Sequence, residues 1–208
     1  MFCFLRSIDF VDLNMKILIA TRNAHKLQEI QEMLPGTEII GTDNYPEVPD
    51  PEENGSTFEA NAAIKAEAWA KATGLMAIAD DSGLEVDALG GEPGIHSARY
   101  AGVHGDTAAN NAKLLRALEG VPTEQRTARF VCALALALPD GTVKTLRGSC
   151  EGRILESGAG AKGFGYDPLF VPEGYTDSFG VLPETVKATI SHRAKAFQKA
   201  REVWAEWL

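Results

Sequence analysis

A mixed α/β fold, with a central sheet flanked by helices, is what this sequence predicts, and three observations carry the prediction. Apolar runs of strand length at residues 16–20 and 75–80 are separated by segments of helical periodicity. Further on, the segments 127–138 and 142–150 flank Pro139-Asp140-Gly141, a strong hairpin signal. Finally, 208 residues, 45% apolar and 24% charged, suffice to bury one core and need no second domain.

Residues 1–14 are read as an N-terminal extension to a single domain over 15–208. Asp9 and Asp12 interrupt its apolar residues and no small-residue cleavage site follows, so it is a poor signal peptide and too short to span a bilayer. The strand at 16–20 breaks at Thr21-Arg22-Asn23. Asn23 can cap a helix with the stripe Leu27, Ile30, Met33 and Leu34, stopped by Pro35-Gly36. Lys26 then falls in the first helical turn, against the macrodipole. A bound anion would explain it, and so would the commoner case of a solvated surface lysine. After a short strand near 38–40 comes a loop with Pro46, Pro49, Pro51 and the acids Asp50, Glu52 and Glu53.

Ser56 to Glu59 reads as a capping box with Ser56 at the N-cap, opening a helix that runs to about Thr73. Phe58, Ala62, Lys65 and Trp69 share one stripe, so Lys65 either snorkels to water or lines a pocket that wants positive charge. Gly74 ends the helix and the strand at 75–80 follows. It runs into Asp80-Asp81-Ser82-Gly83, built like the carboxyl end of a buried strand where ligands gather. Successive strand residues face opposite ways, so the two acids should differ in role. One would face a cleft as metal ligand or general base. The other would hydrogen-bond a turn at Ser82-Gly83, and a functionless Asx-type turn is the competing reading. Residues 84–89 alternate like a strand, and His96, Ser97, Arg99 and Tyr100 are read as structural. Asp106 or Thr107 can cap a helix through Leu118.

Residues 158–168 are glycine-rich. Glycines permit close backbone approach to a ligand, and Phe164 and Tyr166 offer flat faces for a purine. A short helix after Pro183 carries Lys187. Ser191-His192-Arg193 opens the last helix, which turns Ala194, Phe197, Trp204 and Leu208 inward. A basic pair at a helix start again suggests an anion or carbonyl acceptor nearby. The net charge of −9 argues against a nucleic-acid partner, and no segment reads as membrane-spanning. Cys3, Cys132 and Cys150 are few and scattered, which suits a reducing cytoplasm; Cys132 reads as core.

Taken together, Thr21-x-Asn23-x-x-Lys26, the block from Glu53 to Lys65, Ala79-Asp80-Asp81-Ser82-Gly83-Leu84, Gly90-Gly91-x-Pro93-Gly94, Gly163-Phe164-Gly165-Tyr166-Asp167-Pro168 and Ser191-His192-Arg193 resemble the inosine triphosphate pyrophosphatase family. The resemblance runs in order from about Met15 to the C-terminus. Arg22 stands where that family often has glycine. The resemblance implies a two-lobed α/β fold with an active-site cleft and a cytoplasmic homodimer. It also implies hydrolysis of ITP, dITP and XTP to the monophosphate and pyrophosphate, dependent on Mg²⁺, with Mn²⁺ an alternative. In that scheme Glu53 and Asp81 hold the metal. Lys26, Lys65, Thr21, Arg22 and the helix start after Asn23 take the phosphates. Asp81, or Asp80 in its place, activates water, with Lys65 beside it as a second catalytic residue. Ser82 touches substrate, Phe164 stacks on the base, and Gly165, Tyr166 and Asp167 help to hold it. Lys187, His192 and Arg193 would donate to a 6-keto group that adenine lacks.

Overall fold

The computed structural model describes residues 16–204; the expected extension over 1–14 and the inward placing of the Trp204 side chain and Leu208 lie outside the described residues. Its elements are β1 (Lys16–Ile19), α1 (Ala24–Met33), β2 (Glu38–Gly41), α2 (Phe58–Thr73), β3 (Met76–Val86), α3 (Thr107–Ala117), β4 (Thr127–Ala137), β5 (Val143–Ile154), β6 (Phe170–Pro172), α4 (Glu184–Ile190) and α5 (His192–Trp204). The strands form one six-stranded sheet in the order β2-β1-β3-β4-β5-β6. β1 runs parallel to both neighbours, and every pairing from β3 onward is antiparallel. The predicted mixed sheet flanked by helices is therefore what forms.

The position of β1 explains where the helices go. The chain leaves β1 through α1 to reach β2 on one side, then crosses through α2 to β3 on the other. Connections of one hand in opposite directions place their helices on opposite faces. On one face α2 presses Phe58, Ala62, Ala66, Trp69 and Ala70 onto Leu18, Ala77, Ala79, Ala133 and Ala135. Small side chains on the strands let the helix approach closely enough to bury Trp69 almost completely. On the other face Ile17, Ile19, Ile78, Cys132 and Leu134 meet Ile30 of α1, Leu34 at its C-cap and Phe197 of α5. A third cluster gathers Leu84, Val86, Phe130, Ile154, Tyr166 and Phe170 around Leu114 of α3, forming a second lobe beyond the far ends of the long strands.

Two local expectations are corrected. The chain does not turn at Ser82-Gly83. β3 continues for 11 residues, pairing Asp80 with Leu134, Ser82 with Cys132 and Gly83 with Val131. The uninterrupted apolar run of β4 offers each of these residues a ladder partner, so the separate runs at 75–80 and 84–89 fuse into one strand ending at Val86. Gly83 serves packing, because a Cβ there would lie 2.5 Å from Gly94 O and Ser97 Oγ. The capping box at 56–59 also fails to form. Thr57 is the N-cap, accepting from Ala60 N at 3.1 Å, while Glu59 bonds Arg147 on β5 at 3.1 Å. With the cap at Thr57 the third helical position is Ala60, so Glu59 is out of register for the box and pairs with Arg147 instead.

Gly148 on β5 lets α5 sit against the sheet. A Cβ there would lie 2.3 Å from His192 O and 2.4 Å from Ala196 N. Gly148→Ala is expected to lower stability by about 1–3 kcal/mol through overpacking, measured by urea denaturation.

Candidate active site

The site begins where one strand outlasts another. The β1–β3 ladder ends at Ile19 opposite Ile78, with a last bond from Ala20 N to Ile78 O at 2.8 Å. β1 then departs at Thr21 while β3 continues. By ladder alternation the next carbonyl on that edge, Asp80 O, has no strand partner. Two lysines supply it instead: Lys26 Nζ from α1 at 3.5 Å and Lys65 Nζ from α2 at 3.1 Å. In an open α/β sheet ligands bind at such a switch in strand order, here between β1 and β3. Asn23 caps α1, accepting from His25 N at 3.0 Å and Lys26 N at 3.2 Å. Lys26 is thus neither solvated nor misplaced; its target is Asp80. Lys65 likewise turns into the pocket.

The pleat separates the two acids. Asp80 is buried among four donors: Lys26 Nζ at 2.5 Å and Ser82 Oγ at 2.7 Å on Oδ1, Arg193 Nε at 2.8 Å and Cys132 Sγ at 3.0 Å on Oδ2. Burial opposes its charge, but the adjacent guanidinium and ammonium hold this carboxyl well below the usual carboxylate range. Asp81 faces α2. Its Oδ1 accepts from Lys65 at 3.2 Å, and its Oδ2 is buried without a partner. Here burial prevails over the pull of Lys65 and Lys26, and the carboxyl is raised. Glu53 Oε2 shares the same ammonium at 3.1 Å. Burial opposes the charge on Lys65 too, but Asp81 and Glu53 outweigh it and raise the ammonium above its ordinary value.

At the other end, Phe164 is half-buried and stacks on His25 with ring centroids 5.3 Å apart and planes 11° apart. Lys187 Nζ sits 4.5 Å from the Phe164 ring centroid and bonds Asp167 Oδ2 at 2.7 Å and Glu29 Oε1 at 3.1 Å. The same Asp167 oxygen accepts from Phe164 N at 2.8 Å. Gly163, at φ +71°, is required here, since a Cβ would lie 2.0 Å from that oxygen. Gly165 O accepts from Asn111 Nδ2 at 3.1 Å.

Two expected ligand contacts take other partners. Tyr166 is buried and donates to Ser97 O at 2.9 Å, so its hydroxyl is engaged within the fold and its ring packs in the core of the second lobe. Arg193 has no exposed surface, and Asp80, Glu29 and Ser82 engage its guanidinium. It stands beside Asp80 in the buried wall of the cavity. His192 stacks on Phe130 with centroids 5.0 Å apart, and its Nδ1 is buried without a partner. Burial, reinforced by Arg193, pushes its pKa well below the ordinary histidine value, so the ring is neutral.

Every predicted site residue borders one cavity of about 770 Å³, a size that suits a nucleotide. Sequence reasoning missed Glu29, His25 and the polar role of Cys132. Glu29 lies one helical turn beyond Lys26, the one available hint. Among the described residues no three His, Cys, Asp or Glu side chains form a self-sufficient metal nest. Glu53 and Asp81, with an unsatisfied oxygen, do match an ion that takes one or two carboxylates and finds its other ligands on substrate and water. No described helix is long and apolar enough to cross a membrane.

A model of the Ham1 family matches residues 17–203. The chain belongs to the Ham1 family. The dITP/XTP pyrophosphatase of Desulforamulus reducens is 51% identical over 191 residues, covering 91% of this chain and 95% of that protein. That of Geobacillus kaustophilus is 50% identical, over 92% and 95% of the two chains. The Staphylococcus aureus Ham1 protein superposes with a TM-score of 0.84 at 40% identity, covering 93% of this chain and all 100% of that one. A Mycobacterium abscessus nucleoside-triphosphatase / dITP/XTP pyrophosphatase gives 0.76 at 46% identity, over 89% and 98%. The family resemblance in the sequence and the Ham1 fold agree.

Asp80→Asn removes the buried carboxylate shared by Lys26 and Arg193, leaving Arg193 only Glu29 and Lys26 no carboxylate, and is expected to cost about 3–5 kcal/mol, whereas Asp81→Asn leaves Lys65 paired with Glu53 and shifts stability by under about 1 kcal/mol; urea denaturation separates the two. The unfolded chain protonates His192 near its ordinary value, about 6.5, and the folded chain does not. This ring's contribution is therefore complete above about pH 6.5 and is lost as pH falls below it. His192→Phe should flatten that part of the stability profile.

Proposed function

We propose that this Ham1-family chain hydrolyses non-standard purine nucleoside triphosphates, dITP, XTP and ITP, to the monophosphate and pyrophosphate. The observation that carries the reading is the unpartnered, buried Oδ2 of Asp81, set beside Lys65 and Glu53 at the open edge of the sheet. The names of the relatives support the same reading.

The chemistry follows from the division between the two acids. Asp80, ionised and saturated with donors, fixes Lys26 and cannot take a proton at working pH. Asp81, with its raised pKa and free acceptor, is the general base. It would orient a water and take its proton as the oxygen attacks the α-phosphorus. The bond from that phosphorus to the bridging oxygen breaks, and pyrophosphate departs. Lys26 and Lys65 converge from opposite faces of the sheet on the space beside Asp80 O and place positive charge along the polyphosphate. Mg²⁺, or Mn²⁺, held by Glu53 and Asp81, would supply further neutralisation of phosphoryl oxygens.

Phe164 offers the flat face for the base, with Lys187 above it as donor to a 6-keto oxygen and His192 as a neutral neighbour. Arg193 acts in this scheme through Asp80, as a positioning residue. A homodimer and a cytoplasmic setting belong to the same proposal; Cys132 and Cys150 are both unpaired, as a reducing compartment favours.

A nucleotide panel with product identification tests the reading. Pyrophosphate should appear from dITP, ITP and XTP only with divalent metal, and ATP should be slower by roughly 10⁴-fold if hydrogen bonding sets base choice. Orthophosphate as first product would refute it. Asp81→Asn should reduce kcat by about 10²–10⁴-fold.

A further inference from the structure

The second lobe meets the cleft through the 3₁₀ segment Gly94–Arg99. Its anchor is the buried Ser97, whose Oγ accepts from Leu84 N at 2.8 Å and donates to Gly94 O at 2.6 Å, while its carbonyl accepts from the Tyr166 hydroxyl at 2.9 Å. The segment is thereby pinned to β3 just past Ser82 and to the glycine-rich loop, between the acid end of the cleft and the base end. Ser97 fulfils the structural role that the sequence suggests for this stretch. Arg99, two residues on, does not: it is exposed and borders the cavity.

What sets Arg99 apart is that no acid claims it. Every other lysine or arginine around the cavity holds a carboxylate: Arg22 that of Asp50, Lys26 and Arg193 that of Asp80, Lys65 that of Asp81, and Lys187 that of Asp167. Among the described residues the Arg99 guanidinium has no hydrogen bond or ion pair. Asp106, the acid that follows it in the chain, is engaged as the cap of α3, accepting from Ala109 N at 2.9 Å. Arg116 is equally unpaired but lies away from the cavity. An anion that recruits a buried, paired cation competes with a carboxylate that would be left stranded. A free guanidinium gives up only water, and it offers phosphate two parallel, charge-assisted donors. Arg99 also stands across the cleft from Lys26 and Lys65, so an anion held by all three would join the lobes.

We propose that Arg99 binds the β- and γ-phosphates of the substrate, and the pyrophosphate they become, from the second lobe. The inference rests on the pyrophosphatase reading above and adds a residue to it. The α-phosphate is placed beside Asp81 on that reading, and the two outer phosphates carry most of the charge and lie nearer solvent, where Arg99 is. Charge left on the departing pyrophosphate would then meet a cation that no protein acid has neutralised.

Calorimetric titration of the full chain in magnesium buffer tests this without turnover, using inorganic pyrophosphate and, separately, IMP, which carries the base and the α-phosphate alone. Arg99→Ala should weaken pyrophosphate about tenfold or more, as loss of a charged hydrogen bond predicts, and change IMP by less than about twofold. Arg99→Lys should restore part of the loss. Arg116→Ala, which removes the same charge from α3 of the same lobe, should change neither ligand by more than about twofold. If Arg99→Ala and Arg116→Ala weaken pyrophosphate alike, the effect is one of net charge and the proposal fails. It fails also if Arg99→Ala weakens IMP as much as pyrophosphate, since the residue would then support the cleft as a whole, or if pyrophosphate does not bind the wild-type chain. Hydrolysis of ITP by the wild-type chain is measured separately: turnover without the Arg99 pattern removes this inference alone, and the pattern without turnover removes the pyrophosphatase reading alone.

Discussion

The molecule depends on one mismatch of length: β3 runs on for residues that β1 does not match. Had β1 continued beside it, the edge at Asp80 would be an ordinary ladder and the two lysines would have no carbonyl to serve. Because β1 stops, a main-chain acceptor is exposed inside the protein, and buried acceptors of this kind must be satisfied. α1 and α2 each send one ammonium to it from opposite faces. The crevice, its two lysines and the aim of two helices thus share a single cause.

The pleat of β3 then assigns the acids. On the α1/α5 face, Asp80 binds Lys26 and Arg193, and Glu29 joins Arg193 to Lys187, which reaches Asp167 beside Phe164. This chain of buried charges links the strand to both α1 and α5 and extends to the glycine-rich loop. A buried ion pair contributes less to stability than its geometry suggests, since desolvation offsets most of the attraction. What the network gives is position: each inner member holds two partners of opposite charge, so disturbing one shifts the balance at both neighbours and the arrangement holds as a unit. On the α2 face, by contrast, Asp81 keeps one oxygen unpaired, and burial lifts its pKa. Saturation on one face and deficit on the other thus fall on adjacent residues of one strand.

The sequence made much of this legible and concealed the rest for definite reasons. Helix periodicity found α1 and α2 and put Lys65 on the buried stripe, but periodicity cannot say whether a lysine reaches outward or toward a carboxylate on another strand. Strand alternation separated Asp80 from Asp81 correctly. The turn expected at Ser82-Gly83 was an error of context, since nothing local reveals that β4 will pair with every residue of a strand that contains glycine. The capping box failed because the cap fell on Thr57, one residue late, which left Glu59 out of register and free to pair with Arg147 far along the chain. Arg193 and Tyr166 border the cavity where the sequence put them, but the sequence did not show that Asp80 and Ser97 O would engage them. A guanidinium and a phenol fit a ligand as well as they fit Asp80 or Ser97 O, and only the folded chain distinguishes these partners.

On the proposed reading, the arrangement also accounts for how an acidic protein can receive a polyanion. Each inner cation of the cleft already has a carboxylate, so the crevice is close to electrically balanced, and the whole molecule, at −9, repels anions at long range. A bare triphosphate would find few unclaimed donors and would add its charge to that of Glu53 and Asp81. The same polyphosphate carrying a divalent ion has a lower charge and brings to those carboxylates the cation they lack. An acidic cleft wall is then a filter: it disfavours the free anion, accepts the metal complex, and leaves Lys26 and Lys65 to hold it once the acids have been matched. On the proposed reading, pairing every inner cation in advance does not impede binding; it makes binding conditional on the metal.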